Sequence, residues 1–278
     1  MKGLYNIGNT CYLNSALQML LQNEDFCKLI LVNNNNSEIL GELSNFIIQY
    51  YSDSQDNILS PEKIKNILGA KYDIFKGFQQ QDATEFIIFF FDLINTELKN
   101  DKLYDLFGLE TTTRIKCKLL KCLHINNKIE KNLFLMLDAN KSNNLNDLIS
   151  DFISREVIEN EYTCDNCKNK NKISKRILIS NMPNNLLIWI KRFNTEIIDF
   201  GNKLSKNNKD IIIPLQWNNY ELKGAIIHSG TLFGGHYVYI SKYDNKWLLF
   251  NDNDISIVNN IEPYLLKSYY LYYKIISY

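Results

Sequence analysis

The chain has 278 residues, and most of its reactive chemistry lies in 6 cysteines and 3 histidines. Cys11 stands out by position. It follows the polar stretch Gly3-Leu4-Tyr5-Asn6-Ile7-Gly8-Asn9-Thr10 and opens a segment in which Leu13, Leu17, Leu20 and Leu21 recur at helical spacing, with Ala16 on the same side. Asn9 or Thr10 suits an N-cap, which places Cys11 in the first turn of a buried helix. Free backbone N–H groups and the positive end of the helix dipole favour a thiolate there. Asn6, one loop away, is a neutral donor suited to an oxyanion. A lone cysteine of this kind would be a buried structural thiol, but His236 changes the reading. It follows a glycine pair in Phe233-Gly234-Gly235-His236-Tyr237-Val238-Tyr239-Ile240 and opens an apolar strand. Glycines there allow close approach of a backbone or ligand. A histidine beside a thiolate is its general base and ion-pair partner, and a third group should orient the imidazole. The next strand, Lys246-Trp247-Leu248-Leu249-Phe250, runs into Asn251-Asp252-Asn253-Asp254. A hairpin would bring Asn251 or Asp252 to the ring.

The elements that position these groups follow from pattern. A 45% hydrophobic and 22% charged composition is that of a globular protein with a substantial core. Formal net charge is +0, so no nucleic-acid partner is expected. The longest apolar run, near Ile87-Ile88-Phe89-Phe90-Phe91, is too short to span a bilayer, so no membrane partner is expected either. Met1-Lys2-Gly3 leads directly into the cysteine loop, which argues against a signal peptide. The cysteine spacing, with one C-x-x-C, suits metal binding or catalysis in a reducing compartment rather than a disulfide framework. The abundant Asn, Ile, Lys and Tyr suggest an AT-rich genome, as in a large DNA virus or a protist.

Along the chain, Asn33–Asn36 reads as a loop and Ile39 to Tyr51 as an amphipathic helix. Ser60 should cap a helix with Pro61 at its first position, ending near Gly69. Asp82 and Glu85 are spaced as a capping box for a helix to about Leu98. That helix is apolar nearly all round from Phe86 to Phe91 and hence buried, leaving its polar start facing a cleft. Carboxylates there could pair with arginines of a bound peptide. From about Thr111 the pattern changes to strands: Thr113 to Ile125 and Leu133 to Leu137, turning at Asn126-Asn127, then a helix over Leu145 to Ile153. A tight knuckle at Tyr162–Cys167 follows. Further strands are expected at Lys175–Ser180, Leu186–Phe193, Ile211–Ile213, Tyr220–His228, His236–Lys242, Lys246–Phe250 and Tyr269–Ile276, with a polar loop over Gly201–Asp210. The class is α+β in a single domain.

The Cys11 loop, Gln80-Gln81-Asp82-Ala83, Cys164-x-x-Cys167, Leu186-x-Ile188-x-Ile190-Lys191-Arg192-Phe193, Gly234-Gly235-His236-Tyr237, Trp247-x-x-Phe250-Asn251-Asp252 and Ser268–Lys274 occur in this order. Together they resemble the ubiquitin-specific proteases, a family of cysteine deubiquitinases, over essentially the whole chain. The resemblance implies a papain-like fold with a helical thumb (1–110), β fingers (111–185) and a β-rich palm (186–278). It implies hydrolysis of the bond after the C-terminal Gly-Gly of ubiquitin, with Cys11 as nucleophile, His236 as base and Asn251 as third member. Asp252 would help orient the site, and Asn6 would face the oxyanion. Asp82 and Glu85 match carboxylates that grip the basic ubiquitin tail, with Gln81 and Tyr237 beside the same channel. Gly234 and Gly235 would narrow it, and His228 would be structural. Catalysis needs no cofactor. A structural zinc is implied on Cys117, Cys122, Cys164 and Cys167, although the first pair is spaced C-x4-C rather than C-x2-C, and His124 could substitute as a ligand. Leu119 and Leu120 would fill the resulting bulge and pack under the fingers or touch ubiquitin. The implied partner is ubiquitin or its conjugates, and the implied location is the cytoplasm or nucleus, including that of a virus's host cell. Alternatives are a protease for a ubiquitin-like modifier, a catalytically silent ubiquitin-binding protein, and a cysteine peptidase of another fold.

Overall fold

The computed structural model describes residues 1–34, 37–99, 101–198, 201–231 and 234–276. Asn35 and Asn36 of the asparagine run and Phe233 of the histidine stretch lie outside them. The first third is helical. In α1 (Cys11–Leu21) every residue is buried, so the helix runs through the core instead of lying on it. It ends at Gln22, and α2 (Glu24–Val32) starts behind Asn23, whose side chain accepts from the Phe26 N–H. Apolar spacing continues across this break and hides it from the sequence pattern. Ser37 caps α3 (Glu38–Tyr51). In α4 (Glu62–Lys71) Pro61, not Ser60, holds the N-cap position, one residue later than expected. Asp82 caps α5 (Ala83–Leu98), and α6 (Lys102–Phe107) is a short helix the pattern did not announce. Tyr12, Phe75 and Phe86 pack ring to ring at 5.9–6.2 Å and tie α1 to α5. A short parallel pair, β1 (Gly3–Leu4) with β2 (Ile58–Leu59), pins the N-terminus.

Among the described residues the remainder is mainly two sheets. One is four-stranded in the order β4-β3-β7-β6, from β3 (Leu109–Cys117), β4 (Ile125–Asn132), β6 (Arg155–Thr163) and β7 (Lys170–Asn181). The larger has the order β15-β14-β13-β12-β16-β8-β5. Its members are β5 (Leu135–Asp138), β8 (Asn185–Lys191), β12 (Tyr220–Gly230), β13 (Gly235–Tyr243), β14 (Lys246–Asn251), β15 (Asp254–Val258) and β16 (Ser268–Ile275), with β11 (Gln216–Trp217) appended to β12. A hairpin of β9 (Phe193–Ile198) and β10 (Gly201–Lys206) replaces the first part of the expected polar loop. The expected turn at Asn126-Asn127 is also corrected. Both residues lie inside β4, where asparagine is tolerated because all of that edge strand is exposed, and the chain turns instead between Cys117 and Ile125.

The large sheet has a core on each face. Leu187, Ile226, Tyr239, Phe250, Tyr270 and Tyr272 face the helices. Leu186, Ile188, Ile190, Ala225, Ile227, Leu271 and Tyr273 face α7 (Leu145–Phe152) and α8 (Glu262–Leu265). This is the two-residue alternation of a sheet buried on both sides. It traps α1 between the other helices and β13, so the start of α1 comes to rest beside the start of β13.

Candidate active site

Cys11 opens α1 and His236 is the second residue of β13. The Cys11 thiol beside the ring is the largest influence raising the imidazole from 6.5 to about 9, with the Asn251 bond also raising it. β13 and β14 pair with Tyr239 opposite Phe250, so Asn251, at the end of β14, lies toward His236. The His236 Nε2 to Asn251 Oδ1 distance is 2.6 Å. A carbonyl oxygen only accepts, so Nε2 carries the proton and Nδ1 is left for the Cys11 thiol.

The next residue builds the floor of the site. Asp252 has φ 52°, a left-handed turn conformation that aims its carboxylate back at α1. Its Oδ1 accepts from Asn14 Nδ2 at 2.7 Å and its Oδ2 from Asn6 Nδ2 at 2.8 Å. Its carbonyl accepts from the Leu4 N–H at 2.8 Å. A Cβ on Gly3 would lie 2.2 Å from the Asn253 carbonyl oxygen, so β1 can pass this turn only as glycine. Asn6 is therefore not a free donor. Its Oδ1 accepts the Gly8 and Thr10 N–H groups, which shapes the loop before Cys11, and one amide hydrogen goes to Asp252. Its second amide hydrogen has no acceptor among the described residues. Thr10 holds the N-cap position without a capping bond, because its hydroxyl accepts from the Ile7 N–H instead.

A cleft of about 500 Å³ leads to Cys11, lined in part by Gln80, Asp82, Glu85, Trp189, Gly234 and Tyr237. Asp82 is more occupied than a peptide-gripping carboxylate would be. Oδ1 caps α5 through the Thr84 and Glu85 N–H groups, and Oδ2 accepts the hydroxyls of Tyr237 at 3.0 Å and Tyr269 at 2.6 Å. It bolts the start of α5 to the large sheet. Glu85 does not return the capping bond of a full box, and among the described residues its carboxylate has no partner. Burial, and secondly Asp82, raise its pKa. Gln81 donates to the Ile74 carbonyl, whereas Gln80 accepts from the Gly235 N–H at 3.2 Å and donates to the Gly235 carbonyl at 3.3 Å. A Cβ on Gly235 would lie 2.2 Å from His228 Nε2. His228 stacks on Tyr237 at 4.3 Å and is held down to about 4 by burial, then by Lys206 and His236, so it stays neutral.

Away from the cleft, the sulfurs of Cys117, Cys122, Cys164 and Cys167 all lie within 4.8 Å of one another, with Cys122 and Cys164 at 3.7 Å. Tetrahedral thiolate ligands at about 2.3 Å would stand roughly 3.8 Å apart, so the set fits a metal ion without His124. The C-x4-C spacing is absorbed by a turn in which the Cys122 and Leu123 N–H groups donate to the Leu119 carbonyl, with Leu123 at φ 48°. The other knuckle repeats it, with the Lys168 N–H on the Cys164 carbonyl and Lys168 at φ 55°. The extra residues thus enlarge the turn itself. Leu119 and Leu120 do not pack beneath it, being 39% and 89% exposed.

The family model described as ubiquitin carboxyl-terminal hydrolase matches residues 2–273. The chain belongs to this family. It is 28% identical over 98% of its length to the probable ubiquitin carboxyl-terminal hydrolase 16 of Schizosaccharomyces pombe, of which it covers 66%. It is 26% identical to ubiquitin carboxyl-terminal hydrolase 23 of Arabidopsis thaliana and to Usp2 of Drosophila melanogaster, covering 35% and 34% of those proteins. The chain therefore spans from about a third to about two thirds of these relatives. Among solved structures, the SAGA DUB module with Ubp8 bound to monoubiquitin matches all of this chain and 69% of its own at a TM-score of 0.83 and 24% identity. The corresponding module bound to ubiquitin aldehyde has a TM-score of 0.82 at 23% identity. These likenesses carry the mixed α+β fold of the ubiquitin-specific proteases.

Within that fold Cys11, His236, Asn251, Asn6 and Asp252 come together. Asp82, Glu85, Gln81, Gly234, Gly235 and Tyr237 line the approach or support it. Sequence reasoning missed Asn14, Gln80 and Tyr269. Asn14 had a signal, an amide three residues after Cys11 on an apolar helix. Gln80 and Tyr269 stand within quoted motifs, but their partners were illegible, since both act across sequence separations of 155 and 187 residues.

Proposed function

We propose that this chain is a thiol-dependent deubiquitinase that hydrolyses the peptide or isopeptide bond after the C-terminal Gly-Gly of ubiquitin. The observation that carries the reading is the succession of Cys11, His236 and Asn251 at the end of a cleft lined by Asp82, Glu85 and Gly234. In this reading the Cys11 thiolate attacks the carbonyl of the terminal glycine, forming the C–S bond. The oxyanion is met by the second Asn6 amide hydrogen and the N–H groups at the start of α1. The protonated His236 gives its proton to the leaving amine, and water, deprotonated by the same ring, then releases the thioester. Asn251 keeps the imidazole in plane, and Asp252 keeps Asn6 facing the cleft. Glu85 is the carboxylate left to meet the basic tail.

The helices to about residue 110 serve as thumb, the four-stranded sheet to about 185 as fingers and the large sheet as palm, with ubiquitin held between them. The cysteine cluster holds a structural zinc that pins the β3–β4 and β6–β7 turns together. The 6 free cysteines suit a reducing compartment, cytoplasm or nucleus. The test is reaction with ubiquitin carrying an electrophile at its C-terminus, beside equivalent probes of ubiquitin-like modifiers. A Cys11 adduct with ubiquitin alone is expected. An adduct only with another modifier reassigns the substrate, and ubiquitin binding without an adduct makes the chain a silent binder.

A further inference from the structure

The fingertip is charged and apolar in a way the whole-chain balance conceals. Residues 116–124 and 163–172 form the adjoining ends of the β3–β4 and β6–β7 hairpins, drawn together by the four cysteines. They contain Lys116, Lys118, Lys121, Lys168, Lys170 and Lys172 against one acid, Asp165, in a chain whose 31 basic and 31 acidic residues cancel. Asp165 is engaged by Asn126 and Tyr162, and Lys172 by Glu159. Lys118, Lys121, Lys168 and Lys170 have no ion pair among the described residues. Four thiolates on a divalent ion would still leave the tip positive. Between these lysines stand Leu120, 89% exposed, Leu123, 50%, Ile125, 46%, and Leu119, 39%. β3 is 9 residues long, so the tip projects about 27 Å from the sheet's attachment at Leu109.

The expectation of no membrane partner rested on spanning length alone, and we propose that this tip docks on an anionic lipid surface, the leucines entering the headgroup boundary and the lysines pairing with lipid phosphates and carboxylates. Apolar side chains on a projecting turn, ringed by long cationic chains that keep their amines in water, meet both requirements of interfacial binding. The composition argues against the other polyanions and partners. The two segments contain no arginine and no Phe, Tyr or Trp, His124 being their one ring. Arginine forks and stacking platforms dominate nucleic-acid sites, while lysine is depleted and leucine under-represented in protein–protein hot spots.

The experiment is co-sedimentation of the full chain with phosphatidylcholine vesicles and with phosphatidylcholine–phosphatidylserine vesicles. Binding is expected only to the anionic vesicles and should weaken as salt is raised. Leu119→Ser/Leu120→Ser and Lys118→Glu/Lys121→Glu should each weaken it by about tenfold or more. Both pairs are exposed, so melting temperatures should match the parent. Absence of binding by the parent chain, or binding unchanged in both variants, overturns the proposal. So does a loss confined to the lysine variant together with equal, leucine-independent retention of single-stranded RNA, which would assign the tip to nucleic acid. A rise in KM for ubiquitin substrates in the leucine variant without lipid would assign the leucines to ubiquitin instead.

Discussion

His236 and His228 sit one strand apart and are pushed in opposite directions. His236 is raised to about 9, chiefly by the Cys11 thiol. Cys11→Ala should therefore move the His236 titration, followed by NMR, down toward 6.5, and Asn251→Ala should move it down by less. An unmoved His236 in Cys11→Ala would show that the two side chains do not touch. A raised histidine stabilises the fold fully below its unfolded value of about 6.5, and that contribution is lost as pH rises through about 9. His228 is depressed to about 4, so between about 6.5 and 4 the unfolded chain binds more protons and stability falls with acid. His228→Phe keeps the stack on Tyr237 and should flatten that acid limb of a melting-temperature profile. Asn251 and Asp252 separate by mechanism. Asn251→Ala frees the imidazole and should lower kcat, while Asp252→Ala releases both Asn6 and Asn14 and should lower kcat and stability together. Stability unchanged in Asp252→Ala would disprove its bracing role.

At the scale of elements, the thumb meets the palm through several polar links, and Asp82 makes two of them, to Tyr237 and Tyr269. Asp82→Ala removes an N-cap and leaves two buried tyrosine hydroxyls without their acceptor. A cap is worth about 1 kcal/mol and each abandoned hydroxyl about 1–3 kcal/mol, so a loss of roughly 3–7 kcal/mol is expected in denaturant titration. Glu85→Ala, with no bond to lose, should leave stability unchanged and raise KM for ubiquitin substrates by removing binding shared by ground and transition states. Equal effects of the two variants on KM with no stability change would return Asp82 to the peptide-gripping role. This contrast shows what the sequence could carry. Periodicity located α1, α3, α5 and α7 and most palm strands, and the glycine-flanked histidine and the C-x-x-C marked the chemistry. The two-residue break between α1 and α2, the strand hidden in polar Gly201–Lys206 and the asparagines inside β4 were illegible, because tertiary pairing rather than local preference decides them. That Asp82 bonds Tyr237 and Tyr269 is likewise written in no local pattern.

At the scale of the molecule, the cysteine cluster and the Cys11 site belong to different sheets, and this separates their energetics. The fingers have no thick core of their own. β4 is exposed along its whole length, and a two-sided sheet of this kind gains little from burial. The cysteines clamp both of its turns at the end away from the palm. Elemental analysis should find about one zinc per chain. Removing it with a chelator should increase hydrogen exchange in β3, β4, β6 and β7 first, since the metal's binding free energy is that sheet's folding free energy. The large sheet is buried on both faces and should keep its protection. Ubiquitin binding should weaken, while reaction of Cys11 with a small thiol reagent, which needs only the contact with His236 and its brace by Asn251, should proceed at the same rate. A fall in that rate on chelation, with the palm still protected, would mean that the fingers and the cleft are coupled through the Leu109 attachment and act as one unit.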